Sequence, residues 1–163
     1  MKLSNKIEGC IEVEEAAASI YNSFINLFPE EEEFWGDLLK DEFDHLNFLK
    51  NTDFLNTINK LPIKVESPSV PLIEKTLEFA HKTSEHIISN PISLKDALDI
   101  TLKLEESIVE SYTNTLIADL KALNNKTYFL DFEKLLSEER GHINKVRNMM
   151  ISKGYLSLLS DSF

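Results

Sequence analysis

Two Glu-x-x-His segments have the residue types and the spacing that metal chemistry requires. They are Glu42-Phe-Asp-His45 and Glu139-Arg-Gly-His142. Two residues three positions apart on an α-helix project from the same side, so the carboxylate and the imidazole can bind one ion from neighbouring directions. Each segment is therefore a candidate half of a metal site.

Two further glutamates interrupt the apolar stripes of other helical segments. Glu14 and Glu105 each stand on such a stripe, and Tyr21 or Tyr112 follows seven residues later. Seven residues are two helical turns, so each glutamate shares a face with its tyrosine. We expect the glutamates to bind metal, and the tyrosines to hydrogen-bond a ligand carboxylate from behind it.

Four carboxylates crowded into an apolar interior would repel one another and lose their hydration. Two divalent cations would bring four positive charges and cancel this repulsion. One Glu from each of two helices, with a Glu-x-x-His from each of two others, is the ligand pattern of di-iron and di-manganese carboxylate bundles. Oxygen-rich ligands with imidazoles favour iron or manganese, and the spacing is also compatible with zinc.

Each of the two isolated glutamates has an acidic neighbour, Glu15 or Glu106. The neighbour would be the ligand if the helical phase were shifted by one residue. We prefer Glu14 and Glu105 because only they align with the apolar stripes and with the tyrosines.

Other residues of the same types are interpreted differently. A third copy of the motif, Glu78-Phe-Ala-His81, falls on a polar stripe, which predicts a solvated face. Cys10 lies one turn before Glu14 and is interpreted as a small buried side chain. His86 has no partner at ligand spacing.

The periodicity of apolar residues predicts an all-α chain of one domain, residues 1–163, with five helices of which four are long. Pro29 separates the first two helices, Ser93 and Asp96 form an N-terminal cap, and Gly154 can end the last helix. The predicted helices span about 5–28, 30–58, 72–89, 94–123 and 127–153, with a connector at 59–71.

Composition narrows the classes of partner. The formal net charge of −11 would repel phosphate backbones, so we expect no nucleic acid. No apolar run reaches membrane-spanning length, so we expect no membrane association and a cytoplasmic location. The single cysteine can form neither an internal disulfide nor a four-thiolate iron centre, so any redox partner must be another molecule.

With these residues the chain resembles the ferritin-like superfamily and, within it, the rubrerythrin-like proteins. The resemblance covers about residues 7–150. It implies a ferritin-like four-helix bundle with an additional connector helix between the second and third bundle helices, in a form that lacks a rubredoxin domain. Its specific parts are Glu14 with Tyr21, Glu42-Phe-Asp-His45, Leu104-Glu105-Glu106-Ser107 leading to Tyr112, and Glu138-Glu139-Arg140-Gly141-His142.

The resemblance also implies a ligand set and an activity. Glu42 and His45 would be terminal on one iron ion or shared by bridging, with Glu139 and His142 mirroring them. Family members reduce hydrogen peroxide or oxidise ferrous iron with oxygen, so a di-iron oxidoreductase is expected. The full implied ligand set for two iron ions is Glu14, Glu42, His45, Glu105, Glu139 and His142.

Partners and alternatives follow from the same resemblance. Electrons would come from an external donor such as a rubredoxin, and the chain would form a homodimer. Peroxide-reducing rubrerythrins carry one more glutamate a turn after the third-helix ligand, where this chain has Ile108, and this departure counts against the peroxidase assignment. The alternative function is a non-catalytic metal-binding or iron-handling bundle, in which the metal mainly stabilises the fold.

Overall fold

The chain is all-α. A computed structural model describes residues 3–59, 70–115, 117–122 and 126–157, and these ranges contain no strand and no helix long and apolar enough to cross a membrane. A 3₁₀ turn at Pro29–Glu31 joins the first two helices. The helices are α1 (Leu3–Leu27), α2 (Glu32–Leu49), α3 (Thr52–Asn59), α4 (Val70–Ser89), α5 (Leu94–Thr115), α6 (Ile117–Ala122) and α7 (Lys126–Ser152).

Two helical hairpins, α1–α2 and α5–α7, are built alike. In the first, Tyr21 packs on Trp35 with 6.2 Å between ring centroids, and in the second Tyr112 packs on Phe132 at 5.7 Å. Trp35 and Phe132 each lie seven residues before the glutamate of a Glu-x-x-His segment. Aromatic pairs of this kind contribute about 0.5–1.5 kcal/mol beyond their buried area. The weak repeat in the sequence therefore has a structural counterpart.

Helix α4 packs against both α1 and α5 and so lies across the two hairpins. The hydroxyls of Thr76 and Ser111 hydrogen-bond at 3.1 Å, and the Lys103 ammonium lies 4.5 Å from the centroid of the Phe79 ring. On the α1 side, Gly9 allows close approach, because a Cβ at that position would lie 2.8 Å from Cγ2 of the buried Ile73.

The predicted start of α5 and the predicted end of α7 agree with the structure, and capping groups are present at both. Ser93 Oγ accepts from the Asp96 N–H at 3.1 Å, and Asp96 accepts from the Ser93 N–H at 2.9 Å. At the end of α7, Gly154 has φ of 75°, and the Tyr155 N–H donates to the Met150 carbonyl at 2.8 Å. Both features satisfy backbone groups that a helix end leaves without partners.

One of the predicted helices is interrupted. The helix predicted at 30–58 breaks after Leu49, because the Asn51 side chain accepts from the N–H groups of Asp53 and Phe54 and starts α3. The helix predicted at 94–123 is described as α5 and α6, with residues 116 and 123 outside the described residues. Most of the predicted connector, residues 60–69, also lies outside them.

We predict that Gly9→Ala destabilises the fold by about 1–3 kcal/mol, since the added methyl group overlaps a branch of buried Ile73 that is fixed close to its backbone. Gly36→Ala is the matched control, because a Cβ there meets nothing within 4 Å and alanine favours the helix by up to about 1 kcal/mol. Urea denaturation in the presence of a chelator measures both. Equal midpoints for the two variants would contradict the close α1–α4 contact.

Candidate metal centre

The six residues predicted as metal ligands lie together in the core between α1, α2, α5 and α7. None has more than 2% of its surface exposed. Apolar side chains at helical spacing enclose them, among them Leu38 and Leu49 of α2 and Val146 of α7. The six are Glu14, Glu42, His45, Glu105, Glu139 and His142.

Their ligand atoms form two overlapping groups, and within each group these atoms lie within 4.8 Å of one another. Glu42 and Glu139 belong to both groups. One group adds Glu14 and His45, which we call the His45 half-site, and the other adds Glu105 and His142, the His142 half-site. Each hairpin therefore contributes to both half-sites.

The two shared carboxylates each direct one oxygen toward each half-site. Glu42 Oε2 lies 3.7 Å from Nδ1 of His45, and Glu42 Oε1 lies 3.4 Å from Nδ1 of His142. Glu139 also divides its oxygens, with Oε1 2.8 Å from Nδ1 of His45 and Oε2 3.4 Å from Nδ1 of His142. Each of the two carboxylates therefore faces both half-sites.

Both histidines point Nδ1 inward and Nε2 outward, toward a carboxylate of the opposite hairpin. His142 Nε2 donates to Asp41 at 3.2 Å, and His45 Nε2 lies 3.3 Å from Glu138 Oε2. Such outer carboxylates fix the ring orientation and leave the inner nitrogen for a metal. The sequence interpretation missed both roles, although an acidic residue precedes the glutamate of each Glu-x-x-His segment, Asp41 in one and Glu138 in the other.

The two tyrosines hydrogen-bond across the hairpins. Tyr21 on α1 donates to Oε1 of Glu105 on α5, and Tyr112 on α5 donates to Oε1 of Glu14 on α1. The other oxygen of each glutamate is then left facing the interior of the cluster. The contacts expected from the sequence are present, and they link each hairpin to a carboxylate of the other.

The acidic neighbours face away from the cluster. Glu15 pairs with Lys50 at 2.6 Å, and Glu106 pairs with Arg147 at 2.9 Å. Each cation lies eight residues after the glutamate of its Glu-x-x-His segment, so these surface pairs also follow the repeat. Of the alternatives left open by the sequence, Glu14 and Glu105 lie in the cluster, and Glu15 and Glu106 lie at the surface.

The remaining residues of interest are placed as predicted. Glu78, of the third Glu-x-x-His copy, pairs with Lys82 at the surface, and His81 is exposed. Cys10 is fully buried, and burial with the nearby Glu14 carboxylate raises the pKa of its thiol. Ile108 is fully buried.

Hydrogen-bond satisfaction tests whether these residues fit a metal. Buried polar atoms without partners are rare in folded proteins because each costs about 1–3 kcal/mol or more. Among the described residues, ten buried side-chain nitrogens or oxygens lack a hydrogen bond, and nine of them belong to the six candidate ligands. The tenth is the indole nitrogen of Trp35. Cations are the partners that such a set of carboxylate oxygens and imidazole nitrogens fits.

Burial and mutual repulsion govern the charges of the cluster. Burial, with the charges of Glu14 and Glu105, raises the pKa of Glu139 from 4.5 to about 8, and burial next to Glu139 raises that of Glu42. Burial lowers the pKa of His45, but the surrounding carboxylates, Glu139 first, raise it far above its ordinary value. Protonated imidazoles and at least one protonated carboxyl therefore balance the cluster when no metal is bound.

We predict that the metal-free protein loses stability as pH rises from about 5 to about 8. Protonated Glu139 stabilises the fold fully below its unfolded pKa of 4.5, and this contribution is lost as pH rises to its folded pKa of about 8. The raised pKa of His45 also makes the folded protein less stable as pH rises. Urea midpoints in chelator at pH 5 and pH 8 measure the effect. Glu139→Gln, which is neutral at every pH, should show a smaller fall, and a midpoint that increases with pH in the unsubstituted chain would contradict the prediction.

Compared with known proteins, the chain matches no protein-family model, no curated protein and no solved structure. The resemblance to rubrerythrin-like proteins therefore rests on the residues of this cluster and on the helices that carry them.

Proposed function

We propose that the chain is a ferritin-like di-iron carboxylate protein of the rubrerythrin-like kind, and an oxidoreductase that acts with oxygen or hydrogen peroxide. One observation carries the proposal: nine buried polar atoms without hydrogen-bond partners converge from six side chains on one place in the core. The imidazole nitrogens lie 2.8–3.8 Å from the carboxylate oxygens in ion pairs that lack hydrogen-bond geometry, and two cations would use nearly all of these atoms.

The donor set favours two ions of the iron or manganese type. Four carboxylates and two imidazoles supply oxygen and nitrogen but no thiolate, and Cys10 lies outside both ligand groups. Two divalent cations match the charge of four carboxylates and leave the imidazoles neutral. A single cation would leave two buried negative charges without compensation, which costs several kcal/mol per charge.

The residues of the chain would bind and orient. Glu42 and Glu139 would hold ions in both half-sites, since each has one oxygen toward each, while Glu14 and Glu105 would each contribute to one half-site the oxygen that no tyrosine holds. The apolar surroundings exclude water from the cluster. Bound iron would supply one-electron redox chemistry, which none of these side chains provides by itself.

Ile108 bears on whether the proposed oxidoreductase reduces peroxide or oxidises ferrous iron. The additional glutamate of peroxide-reducing rubrerythrins has no counterpart here, because Ile108 fills that place with a fully buried apolar side chain. Oxidation of ferrous iron by oxygen is therefore the reaction that we would test first, with peroxide second. In multiple-turnover peroxide reduction, electrons would come from a separate protein such as a rubredoxin, and the chain would act as a homodimer.

We predict that the protein binds two ferrous ions per chain without oxygen, and that oxygen or peroxide then oxidises them with a change in the visible spectrum. Glu42→Ala and Glu139→Ala should each abolish the oxidation, because each removes a carboxylate common to both half-sites. Glu78→Ala is the matched control, since it alters a Glu-x-x-His copy that faces solvent. Anaerobic titration followed by stopped-flow absorbance measures both steps.

The outcomes separate the proposal from its alternative. Oxidation that survives in Glu42→Ala and Glu139→Ala would exclude the cluster as the reacting centre. Two tightly bound ions that raise the unfolding temperature, but that neither oxygen nor peroxide oxidises, would indicate the non-catalytic metal-binding bundle.

We also predict that Tyr21→Phe and Tyr112→Phe each weaken ferrous ion affinity, by about tenfold, because the loss of an outer hydrogen bond frees Glu105 or Glu14 to rotate. Tyr155→Phe serves as a control, since that residue follows α7 and lies outside the cluster. Competitive titration against a coloured chelator measures the affinity. Unchanged affinity in both cluster variants would show that these hydrogen bonds do not position the ligands.

A further inference from the structure

A polar cleft of about 450 Å³ opens between α2 and α7 on the outer side of the His45 half-site. We call it the His45 cleft. It is lined by carboxylates from both helices, by one lysine and by the histidine itself. The residues that matter here are Asp41, Asp44, Asp131, Glu138, Lys134 and His45.

His45 connects this cleft to the buried cluster. Only 2% of its surface is exposed, and its Nδ1 lies among the carboxylates of the cluster. Its Nε2 lines the cleft, has no hydrogen-bond partner and lies 3.3 Å from Glu138 Oε2. The His45 ring therefore lines the cleft with one nitrogen and faces the carboxylates of the cluster with the other.

Apart from Asp41, which pairs with Lys145 and His142, the acidic side chains of the cleft make at most one exposed ion pair with a lysine. Asp44 pairs with Lys40, and Glu138 lies 3.7 Å from Lys134. Asp131 has no ion pair with any residue that the structure describes. Exposed pairs of this kind contribute little and exchange readily with water and ions. A hydrated cation can replace the lysines without a large loss of free energy.

The acids are not required by the fold, because the repeat places other residues at the equivalent end of the α2–α7 groove. Counting from the glutamate of each Glu-x-x-His segment, the position of Asp131 corresponds to Phe34, and that of Asp44 corresponds to Gly141. At the His142 end, Lys145 instead pairs with Asp41 at 2.9 Å, beside the outer nitrogen of His142. At the His45 end, by contrast, an acidic cleft adjoins a histidine nitrogen that makes no hydrogen bond.

We propose that the His45 cleft is the port through which divalent cations reach the buried cluster, with the His45 half-site as the first to receive an ion. This inference rests on the proposed function, because it requires that the cluster binds metal. Asp44 and Asp131 attract the cation to the mouth, and Glu138 receives it opposite His45.

Uptake kinetics of Co²⁺ test the port, since binding to nitrogen and oxygen ligands gives a visible absorption that stopped-flow follows. The test variant is Asp44→Asn with Asp131→Asn, because neither side chain pairs with a proposed ligand. The matched control is Glu78→Gln with Glu74→Gln on α4, which changes the net charge equally. The two are closely matched, since Asp44 and Glu78 are each 63% exposed and each pairs with a lysine four residues away.

The cleft variant should slow the faster phase of Co²⁺ uptake by about fivefold at low ionic strength, and the difference should shrink in high salt. Release should slow by a similar factor, so that the equilibrium affinity stays within about twofold, because the charges lie on the path and not among the ligands. The α4 control should keep the uptake rate of the unsubstituted chain.

Three results would overturn the port. They are an unchanged uptake rate in the cleft variant, equal slowing in the α4 control, and a loss of affinity without a change in rate. Failure of the unsubstituted chain to bind two Co²⁺ ions would overturn the proposed function as well. Normal binding with unaltered rates would refute the port alone.

Discussion

Compensation of four buried carboxylates is the constraint on which the rest of the structure depends. Apolar side chains of similar size in place of Glu14, Glu42, Glu105 and Glu139 would leave a bundle as stable or more so, because buried charges seldom stabilise a fold. Stability therefore does not account for the cluster. The surroundings all act to keep these charges in place: imidazoles inside the cluster, phenols behind two of the carboxylates, and outer carboxylates behind the imidazoles.

The compensation of the buried carboxylates depends on both hairpins. Neither hairpin holds a complete half-site. Glu14, Glu42 and His45 come from the first hairpin, but their half-site also needs Glu139 from the second. Tyr112, which donates to Glu14, and Glu138, which faces His45, also come from the second hairpin. Formation of the cluster and docking of the hairpins are thus one event. An ion bound in either half-site would link three helices, and two ions together would link all four and stabilise their packing.

The sequence predicted the inward residues well, because burial of a helix face is a local periodic property. The apolar stripes placed Glu14 and Glu105 correctly against acidic neighbours only one residue away. The break at Asn51 was not predicted, since apolar residues continue past it and only the conformation of its side chain starts a new helix. Asp41 and Glu138 were missed for a different reason. Each faces a histidine of the other hairpin, and that contact depends on the docking of α2 against α7.

Proton balance links the metal-free cluster to the proposed loaded one. The carboxylates hold both imidazoles in the protonated form, and the pKa of about 8 keeps the Glu139 carboxyl largely protonated at neutral pH. Two divalent cations need neutral imidazole nitrogens and ionised carboxylates, so loading must release these protons. The outer carboxylates Asp41 and Glu138 face the Nε2 atoms of the histidines and can keep a proton there while Nδ1 binds metal. The carboxylates that balance the imidazole charges without metal would therefore also position the histidine nitrogens for the proposed ions.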